Sequence, residues 1–172
     1  MSSYTSPLKL RPSSYIWNGR PVFIVEAAFV YMVGDRYSPV SVTVAKGSLT
    51  DFASVPLTGD TPLVRLLQRI PLVKNALRWW TKEFTPEGSY RKAAILHDTL
   101  YTLGYKGKRH LADKIFWEAM KVVDDKYGRT KLWKRQCMYW AVRLAGWRSY
   151  GRKMEGQKQM RAALESSRGR RT

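Results

Sequence analysis

Apolar residues recur along this chain with two different periods, and the change of period divides it into a strand-forming and a helix-forming half. In the first half, Tyr15-Ile16-Trp17 and Pro21-Val22-Phe23-Ile24-Val25 flank Asn18-Gly19, a dipeptide suited to the tight turn of a hairpin. The apolar run resumes at Phe29-Val30-Tyr31-Met32-Val33, and Gly34-Asp35 follows as a second turn. Val40, Val42 and Val44 then alternate with Ser41 and Thr43, the period of a half-buried strand with one wet face. A small antiparallel sheet of three or four strands is expected.

From Tyr90 to Val123 the period lengthens. Ala93-Ala94-Ile95-Leu96 runs straight into His97-Asp98, and Gly104 and Gly107 end the helix. At about 100° per residue, His97 and Tyr101 share a face with Ala93 one turn earlier. A second helix begins near Lys108, with Arg109, Asp113, Phe116, Met120 and Val123 in one stripe and Ala112 and Ala119 beside it. The short turn between the helices makes them antiparallel neighbours, so Asp113 can meet His97 and Tyr101. Gly128 to Trp147 is predicted as a third helix. Its stripe of Trp133, Cys137, Trp140, Ala141 and Leu144 is expected to face the core, with Cys137 an inert packed thiol. The architecture these patterns predict is α+β: a small N-terminal antiparallel sheet packed on three or four helices.

A carboxylate on a packing face needs a partner, because burying a lone charge is costly. For Asp113 the nearest candidates are Arg109, Tyr101 and His97. One reading is a buried polar knot in which Asp113 pairs with Arg109 and accepts from the Tyr101 hydroxyl. The other is an acid–base site. There Asp113 orients His97, His97 activates a water, and Asp98 binds a metal or a second proton. Adjacent residues on a helix diverge by about 100°, so His97 and Asp98 suit two jobs better than one. Thr50, Asp51 and Ser54 follow the last strand and suit a local turn held by Asp51. In the acid–base reading, Asp51 instead points into the His97 pocket and joins Asp98 on the metal.

Charge changes the picture more than composition does. Thirty-one Lys and Arg against thirteen Asp and Glu give a net +18, which favours a polyanionic partner: nucleic acid, an anionic membrane surface or an acidic protein. Between Thr61 and Lys82, Arg65, Arg69, Lys74 and Arg78 lie among apolar residues and Trp79-Trp80, with no acid between them. Pro71 splits the segment. It suits an anionic bilayer interface, a partner protein, or a packed helix with a solvated basic face. At 172 residues the chain predicts one globular domain over 15–150, a polar arm at 1–14 and a basic flexible tail at 151–172. A lone Cys137 excludes an internal disulfide. With two histidines, a zinc site would lean on carboxylates, while a calcium- or magnesium-type oxygen site stays open. No apolar run approaches the ~20 residues of a membrane span. Met1 to Pro12 lacks the apolar core of a secretory signal, so synthesis in a cytoplasm is expected.

Three blocks carry a resemblance. TDFASVP (Thr50 to Pro56), YRKAAILHDTLY (Tyr90 to Tyr101) and RHLADKIFWEAM (Arg109 to Met120) stand in the order of a phage and prophage family known as domain of unknown function 1353. As a set they are specific, and the resemblance covers about residues 15 to 150. It implies a phage origin, with a host cytoplasm as the place of synthesis and phage virion proteins as candidate partners. It also implies that Asp51, His97, Asp98, Tyr101 and Asp113 belong to one site. The family brings no settled activity. Separately, HDTLY (His97 to Tyr101) is similar to the HDxxY motif of secretory calcium-dependent phospholipases. That similarity implies His97 as general base, Asp98 as calcium ligand, and Tyr101 supporting an orienting Asp113. No cysteines flank the motif here and no glycine-rich calcium loop precedes it. Two functions follow: a metal-assisted hydrolase of an anionic, phospholipid-like ester, or a non-catalytic basic phage protein that contacts nucleic acid or an acidic partner.

Overall fold

The structure, a computed structural model, describes residues 3–17, 20–34, 41–52, 69, 82–84, 88–103, 109–122, 128–145 and 158. Its strands are β1 (Ser3–Tyr4), β2 (Leu10–Trp17), β3 (Arg20–Val25), β4 (Phe29–Met32), β5 (Ser41–Val44) and β6 (Leu49–Thr50). The helices are α1 (Arg91–Thr102), α2 (Arg109–Ala119) and α3 (Leu132–Ala145). The class is α+β, as the two periods predict.

The strands form two three-stranded antiparallel sheets, β1-β4-β5 and β2-β3-β6, where the sequence suggests one. Trp17 pairs with Arg20, so β2 and β3 are the two strands of the predicted hairpin, whose turn residues Asn18 and Gly19 lie outside the described residues. The register shifts between Pro12 and Ile16, and β2 lies at the sheet edge, where a proline removes no needed donor. The second sheet arises where the chain leaves β5. A turn returns Ser48 N to Ala45 O at 3.2 Å, and Gly47 takes φ +82°, a left-handed backbone that favours glycine. Beyond the turn, β6 pairs with β3 rather than with β5.

The stretch predicted as an arm contributes two strands. Ser3 and Tyr4 pair with Met32 and Tyr31, and Leu10 to Pro12 pair with Val25 to Phe23. A few well-placed apolar side chains explain this. The Tyr4 ring lies 5.9 Å from Phe29 and 5.1 Å from Tyr31, and Leu8 is buried. On the other strands the alternation behaves as read: Val42 and Val44 are buried while Ser41 and Thr43 face water.

Nine of the twelve α1 residues are buried, which makes it the central helix, packed against both β5 and α2. On α2, Ala112, Asp113, Ile115, Phe116 and Ala119 point inward, close to the expected stripe. Helix α3 departs from expectation. Met138 and Val142 are its buried residues, whereas Trp140 is 59% and Leu144 74% exposed. Both sides of α3 carry apolar residues, so periodicity alone left its rotation open. Polar anchors at its two ends set the rotation. Lys134 pairs with Glu83 at 2.7 Å, and Arg109 donates to the carbonyls of Val142 (3.3 Å) and Arg143 (3.0 Å). Those carbonyls belong to the last turn, which has no intrahelical donors for them. Among the described residues no helix is long and apolar enough to cross a membrane.

Candidate functional site

One turn of α1 separates His97 from Tyr101, and their rings touch at a tilt of 44° with centroids 4.0 Å apart. Both reach across to Asp113 on α2. Asp113 Oδ1 accepts from the Tyr101 hydroxyl at 2.6 Å and lies 3.0 Å from His97 Nε2. Asp113 Oδ2 accepts from an Arg143 guanidinium nitrogen at 3.0 Å, so the third helix joins the same carboxylate.

Burial pushes the Asp113 carboxyl up, but hydrogen bonds from His97, Tyr101 and Arg143 outweigh it and hold the group below the usual carboxylate range. An ionised carboxylate only accepts, so His97 Nε2 carries the proton it shares with Asp113. Burial, followed by the hydrogen bond to Asp113, pushes the Tyr101 phenol up and keeps it a donor. The hydrogen bond to Asp113 likewise raises Arg143. The cluster is closed: His97 and Tyr101 are 1% exposed and Asp113 0%. Phe116 lies near the imidazole as well, with ring centroids 4.7 Å apart. Of the four side chains, Arg143 reaches solvent, at 32% exposure.

Asp98 serves a different partner. Its Oδ2 accepts from the Thr50 hydroxyl at 2.9 Å, which joins the end of β6 to α1. Thr50 Oγ1 in turn accepts from the Phe52 backbone N–H at 3.2 Å. Phe52 needs that support, because its φ of +53° is rare for a residue with a side chain. Its ring is buried edge-on against Phe23 at 5.4 Å.

The predicted residues therefore divide into two groups. His97, Tyr101 and Asp113 converge, whereas Asp98 faces Thr50. Asp51 is half-buried beside Thr50, and the turn is anchored through the Thr50 hydroxyl. Of the three candidate partners of Asp113, His97 and Tyr101 reach it, whereas Arg109 acts on the Tyr101 hydroxyl and donates to the α3 carbonyls, and Arg143 supplies the cation. Sequence reasoning named Thr50 as a turn residue but missed its bond to Asp98, and it missed Arg143 as the partner of Asp113. A buried aspartate in so basic a chain requires a cation, but α3 offered several and its rotation chose one. Among the described residues no group of three or more His, Cys, Asp or Glu side chains is placed to hold a metal ion. Of the proposed anionic-surface residues, Arg69 is exposed; Arg65, Lys74, Arg78, Trp79 and Trp80 lie outside the described residues.

A separate groove of about 490 Å³ opens between α2 and α3, lined by Lys114, Trp117, Glu118, Lys121, Gln136, Tyr139 and Trp140. It shares no residue with the Asp113 cluster.

A helix trio pinned by one buried carboxylate, beside two small sheets, is the class of structure these features define. Residues 73–142 match the family described as "Protein of unknown function (DUF1353)", a stretch that contains His97, Asp98, Tyr101, Asp113 and α1 and α2 whole. This bears out the resemblance read from the sequence over that stretch, while the TDFASVP block lies outside it. Comparison with curated proteins and with solved structures gives no match.

Proposed function

We propose that this protein is a non-catalytic binding protein for a polyanion, and that its Asp113 cluster serves to fasten the helices. The carrying observation is the 1% exposure of His97 in a chain of net charge +18. A general base must reach its substrate or a water, and here aromatic rings and Asp113 surround the imidazole. A strong excess of Lys and Arg gives long-range attraction to anionic surfaces without any catalytic group. The resemblance to a phage family suits a virion, assembly or host-interaction role for such a protein.

Heparin, as a generic polyanion, tests this reading. Wild-type protein should bind with an affinity that falls steeply as salt rises, and His97→Ala should lose thermal stability yet bind equally well below its melting point. Absent or salt-independent binding overturns it.

One observation favours a second reading. The His97–Asp113–Tyr101 contacts, at 3.0 and 2.6 Å, are those an oriented base would use. In that reading the protein is a metal-assisted hydrolase of an anionic, phospholipid-like ester. His97 Nδ1 is the base, and Asp98 with Asp51 holds a calcium- or magnesium-type cation. Turnover of an anionic phospholipid that needs the cation and is lost in a folded His97→Gln variant would establish it. No turnover and no thermal shift with calcium or magnesium would end it.

A further inference from the structure

Helix α3 shows water an apolar stripe on the side opposite its core. Trp133, Cys137, Trp140 and Leu144 follow one another at intervals of four, three and four residues, so they share one face. Trp133 is 36%, Trp140 59% and Leu144 74% exposed, and Cys137 is half-buried. From Trp133 to Leu144 the stripe runs about 16 Å along the helix. Met138 and Val142, buried on the other side, already attach α3 to the core. Trp133 also meets the buried Phe84 edge-on at 5.8 Å and Cys137 packs on the core, so the strongly exposed part of the stripe is Trp140 and Leu144.

Its surroundings are cationic. Helix α3 contains no acid; of its cations, Lys134 is paired with Glu83 and Arg143 with Asp113, which leaves Arg135. Across the groove, exposed Lys114 and Lys121 stand with Trp140 around the same opening. Arg135 and Lys121 lie over the Trp117 ring at 5.4 and 5.9 Å. The net +18 belongs to the whole chain.

These features select among occupants. A second copy would bring two strongly positive chains together, with Glu118 the one acid among the groove's lining residues to offset Lys114 and Lys121. Single-stranded nucleic acid would use the charge and could stack on Trp140, but Leu144, the most exposed of the three, offers bases no ring. An anionic bilayer uses every feature: tryptophans at the headgroup level, a leucine in the acyl boundary, and flanking lysines on the lipid phosphates.

We infer that the outer face of α3 docks on an anionic lipid surface, with Trp140 and Leu144 inserted and Lys114 and Lys121 bound to headgroups. The inference rests on the polyanion-binding reading and names its partner. It gives α3 a role separate from that expected of residues 61–82.

The test uses the full chain with vesicles of phosphatidylcholine, with and without phosphatidylglycerol, read by co-sedimentation. Because Trp140 and Leu144 are exposed, a Trp140→Ser/Leu144→Ser variant should keep its melting temperature. Wild-type protein should partition onto the phosphatidylglycerol vesicles, and the double variant should lose at least tenfold in partitioning. A Lys114→Gln/Lys121→Gln variant should bind more weakly and with a shallower salt dependence. A single-stranded oligonucleotide, tested in parallel, should bind both wild type and the serine variant alike. If wild type binds the oligonucleotide or heparin but no vesicle, the lipid inference falls and the polyanion reading stands. Partitioning of the serine variant at the wild-type level would also sink the lipid inference and spare the polyanion reading. If neither vesicle nor heparin nor oligonucleotide is bound, both fall.

Discussion

The Tyr101 hydroxyl donates to Asp113 Oδ1 at 2.6 Å, across the interface between two helices and in the absence of solvent. Charge-assisted bonds of this length are strong, and this one holds the phenol beside the imidazole that shares its acceptor. Tyr101→Phe should therefore cost about 2 kcal/mol of stability in denaturant titration. Combined with His97→Ala, the loss should fall short of the sum, because both side chains donate to one oxygen. Strict additivity would argue that the two bonds are independent.

Asp113→Asn keeps the shape and removes the charge. With Arg143 and the Tyr101 hydroxyl still aimed at it, the variant should lose about 3–5 kcal/mol, read as a lowered denaturation midpoint. A loss under about 1 kcal/mol would mean that the cluster does not hold the helices.

Acid should act through the same carboxylate. The folded Asp113 titrates below its ordinary range, so the unfolded chain takes up a proton first as pH falls. The contribution is complete above the unfolded carboxylate value, about pH 4, and is lost as pH drops through the lower folded value. Wild-type stability should fall with acid in that window more steeply than that of Asp113→Asn. Parallel pH profiles would refute it.

Thr50→Val leaves the buried Asp98 carboxylate and the Phe52 amide each without the Thr50 hydroxyl. A loss of about 1–3 kcal/mol is expected, with Thr50→Ser recovering most of it. Equal stability of the valine and serine variants would show that the link from β6 to α1 is unimportant.

A methyl group on Gly88 would lie 2.6 Å from a ring carbon of Tyr90. That ring is 1% exposed and packs near Phe84, so it has little room to yield. Gly88→Ala should destabilise by about 1–3 kcal/mol, measured by thermal melting. An unchanged melting temperature would mean that the ring moves freely.

Much of this was legible because the residues concerned repeat locally. The Asn18-Gly19 hairpin, the alternation of β5 and the inward stripe of α2 each follow from neighbours a few residues apart. The meeting of His97, Tyr101 and Asp113 also follows, since a short connection joins the helices that carry them. Long-range choices were not legible. Whether Arg109 or Arg143 neutralises Asp113 depends on how α3 is turned, and α3 has apolar residues on opposite sides. The pairing of β6 with β3 depends on one glycine turn, and the strand at Ser3–Tyr4 and the extension of β2 back to Leu10 depend on neighbours that no local period reveals. Exposure was equally invisible: the residues of a candidate acid–base site are the same whether the cleft is open or closed.

Because Asp113 ties α2 to both α1 and α3, opening α2 breaks bonds to the other two helices, and opening α1 or α3 breaks bonds to α2. The three helices therefore form one cooperative unit, whose amide protons should exchange with deuterium at similar, slow rates. The outer strand β1, two residues long, can fray ahead of that unit.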